Sequence, residues 1–327
     1  MEIVPGVRQL KVPIPNNPLG NLLAYLIATG EGYVLIDTGW NHPKSFASLE
    51  GQLQEQGVAF RDILAILITH RHPDHFGLAR RVRELSGAPV FLHRREAASV
   101  PESAEAQERY LKGMIDWLLA HGVPQAEVRE LEVWRQRIPN MMPSFEADRL
   151  LEDNETCRWG SLTLETLWTP GHSPGHLCFY ERNRRLLFSG DHILPVITPN
   201  VSLRYPDEGN PLQDFVSSLE KVAYLEVSLV LPAHEHIFAH FAQRVQELKQ
   251  HHQERLQIIQ NASRGGWYTA RQIAEQVPWN LAPWNQMSFW HRRMAVMETL
   301  AHIRYLVTED RMTERSDNGL YLYQSVA

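Results

Sequence analysis

Cysteine is scarce: only Cys157 and Cys178 occur in 327 residues. Two thiols cannot form a disulfide framework for a chain of this size, so a reducing, cytoplasmic setting is the expectation. Long apolar runs are missing too. The longest, residues 63–68, falls far short of the roughly 20 residues that span a bilayer, and no membrane segment is expected. The start, Met1-Glu2-Ile3-Val4-Pro5, lacks a basic stretch followed by an apolar one, so no secretory signal is expected either. With 19 Gly, 20 Pro and 43% hydrophobic residues, collagen-like, low-complexity and disordered classes are excluded. Basic excess is lacking as well. The formal charge is −6; residues 1–240 carry 22 Lys and Arg against 30 Asp and Glu, and residues 241–327 carry 10 against 8. A nucleic-acid-binding domain ordinarily shows a plainly basic face.

What is abundant is histidine, with 16 residues, the side chain most used for metal ligation and for proton transfer near neutral pH. The first two thirds of the chain alternate strand and helix patterns. Residues 22–28 and 32–36 read as a hairpin, 43–56 as a helix with Phe46, Leu49 and Leu53 on one face, 63–69 as an apolar strand, 76–85 as a helix and 89–92 as a strand. Residues 94–150 break this rhythm with a charged, mostly helical stretch. There Tyr110, Leu111, Met114, Ile115, Leu118 and Leu119 share a face, and the stretch reads as an insertion. Strands resume at 161–168, 177–181, 185–189 and 227–231, with a helix opening at Asn210-Pro211. Beyond residue 240 come three helices, the second opened by a Thr269/Gln272 capping box and the third capped by Ser288, and then a hairpin around Asp317-Asn318-Gly319. This order is winged-helix-like. Length and pattern together predict a larger α/β domain over 1–240, with 94–150 as its helical insertion, and a small domain over 241–327.

His70-Arg71-His72-Pro73-Asp74-His75 places four metal-ligand side chains in six residues at a strand-to-helix junction. In extended chain, residues two apart project to one side, so His70 and His72 can share an ion, while Asp74 and His75 turn with the helix toward another. Core packing does not call for such a cluster. His172, Asp191 and His234 stand after later strands, and Asp37 closes an early one.

This ordered set, H-x-H-x-D-H followed by His, Asp and His, resembles that of the metallo-β-lactamase superfamily over about residues 1–240. The resemblance implies an α/β fold, the αββα sandwich. It implies that His70, His72 and His172 hold one metal, that Asp74, His75 and His234 hold another, and that Asp191 bridges them. It also implies a hydroxide between two ions, most simply zinc, with iron or manganese accepted by the same nitrogen and oxygen donors. Asp74 is expected to orient that nucleophile or take its proton, and His192 to donate to a developing oxyanion. Asp37 is expected to support the loop or a ligand imidazole, and His176 to be structural.

Within the superfamily, retention of Asp191 speaks against true β-lactamases, and His72 against the flavodiiron branch. The 42 residues between Asp191 and His234 leave no room for a β-CASP domain. The tail is similar to that of the β-lactamase-like protein 2 group. Hydrolysis of a small ester, thioester or lactone is the leading expectation, with Met141-Met142-Pro143-Ser144-Phe145 covering an acyl group. The alternative is an endoribonuclease or phosphodiesterase acting on RNA through Arg292, Arg293, Arg304, Arg311 and Arg315. Trp267, Trp279, Trp284 and Trp290 form either the small domain's own core or the interface of a homodimer.

Overall fold

The computed structural model describes residues 1–97, 104–134, 147–206 and 209–326. Its chain divides into two compact units. The first comprises Met1–Val100, Ile138–Pro199 and Ser218–Val245, and the second Pro101–Arg137, Asn200–Ser217 and Gln246–Ala327.

The first unit contains two sheets. One runs β1 (Glu2–Val4), β2 (Val7–Pro13), β3 (Asn21–Ala28), β4 (Tyr33–Ile36), β5 (Ile63–Leu67), β6 (Val90–His93) and β7 (Arg149–Leu151) in spatial order. The other runs β12 (Leu229–Pro232), β11 (Leu186–Gly190), β10 (Leu177–Glu181), β9 (Leu162–Trp168) and β8 (Thr156–Trp159). Pairing is antiparallel through β4 and parallel from β4 to β7; in the second sheet only β11–β12 is parallel.

Period-two alternation assigns each strand's side chains to two cores. Leu23, Tyr25 and Ile27 of β3 join Val34, Ile36, Ala65 and Leu67 against Leu164, Leu177, Phe179 and Phe188 of the other sheet. Leu22, Ala24 and Leu26, with Leu35 and Ile66, face the helical side instead. There they meet Phe46, Leu49 and Leu53 of α1 (Pro43–Glu55) and Ala79 and Val82 of α3 (Ala79–Ser86). Between β5 and α3 lies the single turn α2 (Pro73–Phe76), with Pro73 at its first position; after β6 comes α4 (Arg94–Ala97).

The second unit holds α5 (Ala104–Ala120), α6 (Gln125–Trp134), most of α8 (Phe241–Ala262), α9 (Ala270–Gln276), α10 (Phe289–Thr308) and the hairpin β13 (Met312–Asp317) with β14 (Leu320–Ser325). The remaining helix, α7 (Pro211–Val222), contributes to both units. The partition differs from the expected break at residue 240. Helices α5 and α6 do not belong with the sheets; they group with the C-terminal segment. The apolar face of α5 is real, since Leu111, Met114 and Leu118 are buried. At its end the His121 carbonyl accepts from Arg271 N, its Nδ1 meets the Tyr323 hydroxyl at 3.1 Å, and Gly122 lies so close to Thr269 that a Cβ would stand 2.4 Å from Oγ1. Residues 141–145, expected over an acyl group, lie outside the described residues.

The aromatic-rich tail resolves into cation–π pairs. Arg315 lies over Trp267 at 4.3 Å, Arg255 over Trp279 at 4.7 Å, Arg271 over Trp284 at 4.8 Å and Arg293 over Trp290 at 5.4 Å. Deeper in this unit His302 Nδ1 donates to the Glu298 carbonyl at 2.8 Å, so its Nε2 accepts from His252 Nδ1 at 3.2 Å. Burial pushes His302 down to about 3, with Arg255 adding to the effect. Burial pushes the Glu298 carboxyl the other way, up to about 7, against the pull of Arg255 and of Asn200 Nδ2 at 3.0 Å.

The two groups act on stability with opposite signs. His302 has its folded pKa below its unfolded value, so its contribution is intact above about 6.5 and lost as pH falls toward 3. Glu298 has its folded pKa above 4.5, so its contribution is intact below 4.5 and lost as pH rises through 7. Glu298→Gln should therefore stabilise the protein by about 1–2 kcal/mol at pH 8 and by nothing measurable at pH 4. Urea unfolding at the two pH values checks this, and equal gains at both would contradict it.

Candidate metal centre

Asp37 and every expected ligand sit just past a strand at one edge of the two sheets. Asp37 follows β4, residues 70–75 follow β5, His172 follows β9, Asp191 follows β11 and His234 follows β12. Main-chain bonds pin these loops across the sheets: Leu177 N to Thr69 O at 2.8 Å, Leu23 N to Ala233 O at 2.7 Å and Ala233 N to Gly190 O at 3.0 Å. The site is thus assembled by the sandwich rather than by one segment.

Seven side chains form two groups able to hold a metal ion: His70, His72, His172 and Asp191, and Asp74, His75 and His234, the donor atoms within each group lying within 4.8 Å of one another. In the first group His72 Nδ1 lies 2.8 Å from His70 Nε2 and 3.0 Å from His172 Nε2. In the second, Asp74 Oδ2 lies 3.5 Å from His234 Nε2 and 3.8 Å from His75 Nε2. Asp191 faces both. Its Oδ2 is 3.4 Å from His172 Nε2, while its Oδ1 is 3.3 Å from His234 Nε2 and 3.5 Å from His75 Nε2.

Several buried atoms at this junction, His75 Nε2, His234 Nε2 and Asp191 Oδ1, make no hydrogen bond. Buried polar atoms are rarely left so, and three of them converging at one point fit a cation between them. The electrostatics agree. Burial opposes charge on Asp191, yet His234 and His75 hold its carboxyl well below the usual range. Burial would also lower His234, but Asp191 and Asp74 push it up to about 10, and Asp191, Asp37 and Asp74 hold His75 high in the same way. A proton there answers the negative potential that a divalent cation would answer. His70 is held low by burial and by His75, His72 and His172, which keeps it in the neutral form that ligates.

The outward nitrogens of several ligands are fixed. Asp37 Oδ2 accepts from His75 Nδ1 at 2.8 Å, and its Oδ1 accepts from Thr69 N at 2.9 Å. Thr69 Oγ1 lies 3.1 Å from His70 Nδ1, and His234 Nδ1 donates to Asn21 O at 3.1 Å. Such partners set the tautomer that points Nε2 at a metal. Asp37 thereby supports both the loop and an imidazole. His176 plays a structural part, holding the main chain at Asp191. Its Nε2 accepts from Asp191 N at 3.1 Å, so its protonated Nδ1 donates to Thr169 Oγ1 at 2.8 Å. Gly190 makes this approach feasible, for a Cβ there would stand 2.6 Å from His176 Nε2.

His192 lies outside both groups. It is fully buried, its ring centroid 6.1 Å from that of His176 and the Ser218 backbone its polar neighbour, and burial pushes it down to about 3. The ring is as buried as those of His70 and His75, and low in basicity. Glu96 was not singled out in the sequence, although its carboxylate accepts from the main chain of two histidine-bearing loops.

Two stacked mixed sheets with helices, carrying this ordered His and Asp set at one edge, define a metallo-β-lactamase fold with a candidate metal centre. The chain belongs to the metallo-β-lactamase superfamily, whose family model matches residues 18–234 and so spans all seven donors. Among its relatives, the probable metallo-hydrolase YqgX of Bacillus subtilis is 30% identical over 51% of this chain and 64% of its own length, and the probable metallo-hydrolase YqjP of the same organism 28% identical over 69% and 70%. The match to the first thus covers less than two thirds of that relative. Among solved structures, the metallo-β-lactamase family protein TTHA1429 of Thermus thermophilus superposes with a TM-score of 0.82 at 34% identity, over 99% of this chain and 100% of its own.

Proposed function

We propose that the protein is a two-metal hydrolase of a small ester, thioester or lactone, with His70, His72 and His172 at one ion, Asp74, His75 and His234 at the other and Asp191 between them. The observation that carries this reading is Asp191, with one carboxylate oxygen toward each donor group. Zinc is the first choice for such imidazole and carboxylate donors, ahead of iron and manganese. Bound there, such ions supply Lewis acidity and an acidified water near neutral pH. The chain's own part is to hold donors and orient water. Asp74, kept ionised against burial by His75 and His234, would accept a hydrogen bond from that water and orient it.

The loop after Asp191 and His192 supports an apolar substrate portion. Arg244 donates to the carbonyls of Leu194, Val196 and Ile197 at 2.7–2.9 Å, and Glu235 Oε2 accepts from Val196 N and Ile197 N at 3.0 and 3.1 Å. With its main chain anchored by two charged groups, the loop leaves Val196 64% and Ile197 38% exposed. Two apolar side chains held in water on a rigid loop suit contact with an acyl chain.

RNA ranks second as a substrate: of the five arginines expected to serve it, Arg292, Arg293, Arg311 and Arg315 have partners within the second unit. Arg292 and Arg271 both lie beside Glu127, at 3.4 and 3.6 Å, Arg311 donates to Gln260 at 2.9 Å, and Arg293 and Arg315 cover tryptophan rings. These cations hold the second unit together. Its helices α8, α9 and α10 followed by the β13–β14 hairpin are, we propose, a winged-helix-like domain akin to that of the β-lactamase-like protein 2 group.

Elemental analysis of protein purified without added metal should give about two ions per chain. Chelation should lower turnover of a thioester, ester and lactone panel by ~10³-fold or more, with recovery on adding zinc. Cleavage of labelled RNA with no turnover of the panel would reverse the substrate assignment.

A further inference from the structure

Glu96 belongs to no motif, yet it touches both histidine-bearing loops. It is the carboxylate of the short helix α4, 2% exposed, and it follows the end of β6. Its Oε2 accepts from Arg71 N at 3.0 Å, and Arg71 is the residue between His70 and His72. Its Oε1 accepts from Gly175 N at 2.7 Å, in the turn between His172 and His176. The first loop leaves β5 of one sheet and the second leaves β9 of the other, so a single side chain ties the sheets together at the ligand edge.

Independent features show that the contact is built. A Cβ at Gly175 would stand 2.7 Å from Glu96 N and 2.8 Å from both Glu96 Cγ and His93 Nδ1, so only glycine lets the loop come this near. The neighbouring carbonyl, Pro174 O, is held by Trp168 Nε1 at 3.0 Å, and Trp168 stacks on His93 with centroids 5.3 Å apart and planes 9° from parallel. The guanidinium of Arg71 lies over the Phe76 ring at 4.9 Å and supplies the countercharge to the buried carboxylate.

We infer that Glu96 is a positioning residue for the His70, His72 and His172 group: it fixes the distance between the two loops and hence the spacing of the three imidazoles. The inference rests on the two-metal reading proposed above. The Asp74, His75 and His234 group does not depend on this tie, because Asp37 and Asn21 orient its imidazoles.

The carboxylate accepts at both oxygens. Glu96→Gln keeps the shape but turns an NH2 toward one of two N–H donors, so one bond is lost and a donor–donor contact replaces it. In metal-free protein, amide exchange at Arg71 and Gly175 should quicken in this variant while the β3–β4 core amides stay protected. In a zinc titration against a competing chelator, one of the two ions should bind ~10–100-fold more weakly and the other within about twofold of wild type. Gly175→Ala, which pushes the loop from Glu96 without touching the carboxylate, should reproduce the selective loss and serves if Glu96→Gln fails to fold. Equal weakening of both ions, or unchanged binding with unchanged exchange, overturns the positioning role. A wild type that takes up no metal overturns the two-metal reading itself, and the inference falls with it.

Discussion

Asp191→Asn is expected to reduce bound metal from about two ions per chain to one or fewer and to lower kcat/KM by ~10³-fold or more, about 4 kcal/mol of transition-state stabilisation. The reason is geometric. One oxygen faces His172 and the other faces His75 and His234, and an asparagine retains a donor for one side only. It also removes the central negative charge. The fold should survive, since the Asp191 main-chain bond to His176 does not involve the altered atoms. Metal-free protein offers a second readout. His234 has its folded pKa raised to about 10 largely by Asp191, so its contribution to stability is full below about 6.5 and lost as pH rises through 10. Metal-free wild type should thus lose stability between pH 6 and pH 10, and Asp191→Asn should flatten that slope. A variant that retains two ions and the slope would show that Asp191 does not stand between the groups.

The donors were legible in the sequence because their chemistry is local: four ligands in six residues have no packing explanation, and each remaining donor directly follows a strand. Asp37 and His176 were legible in kind, and the structure supplies their partners. The Thr269/Gln272 box and the Ser288 cap also follow from side chains bonding to nearby backbone, and both form as read. Glu96 was not legible. Its partners lie 25 and 79 residues away and meet it only once two sheets stack.

Strands β1, β2, β7 and β8 were missed for a related reason: each is short or carries polar residues, and its identity as a strand comes from neighbours. The face of α5 showed that the helix packs, though not on what, and its grouping with the C-terminal helices depends on residues more than a hundred positions away. The tail arginines are legible as charge but their partners are not: in the fold Arg293 and Arg315 lie over tryptophan faces and Arg292 beside Glu127.

The second large effect is expected at Asp37, where two substitutions separate folding from metal binding. The carboxylate is buried beside β4 and accepts from Thr69 N and from His75 Nδ1. Asp37→Ala leaves both donors unsatisfied and should cost about 3–5 kcal/mol of stability, with activity lost alongside. Asp37→Asn is more telling. The amide oxygen must stay on the Thr69 N–H, so the NH2 group takes the place of Oδ2 and faces His75 Nδ1. That nitrogen must then accept, which moves the imidazole proton to Nε2, the atom aimed at Asp74 and Asp191. A protonated Nε2 cannot ligate. The asparagine variant should therefore unfold within a few degrees of wild type while binding the ion of the Asp74, His75 and His234 group ~10–100-fold more weakly. Chelator competition, together with histidine NMR to assign the tautomer, reads both effects. Full metal affinity in a variant carrying the Nε2 proton would mean that His75 is not a ligand.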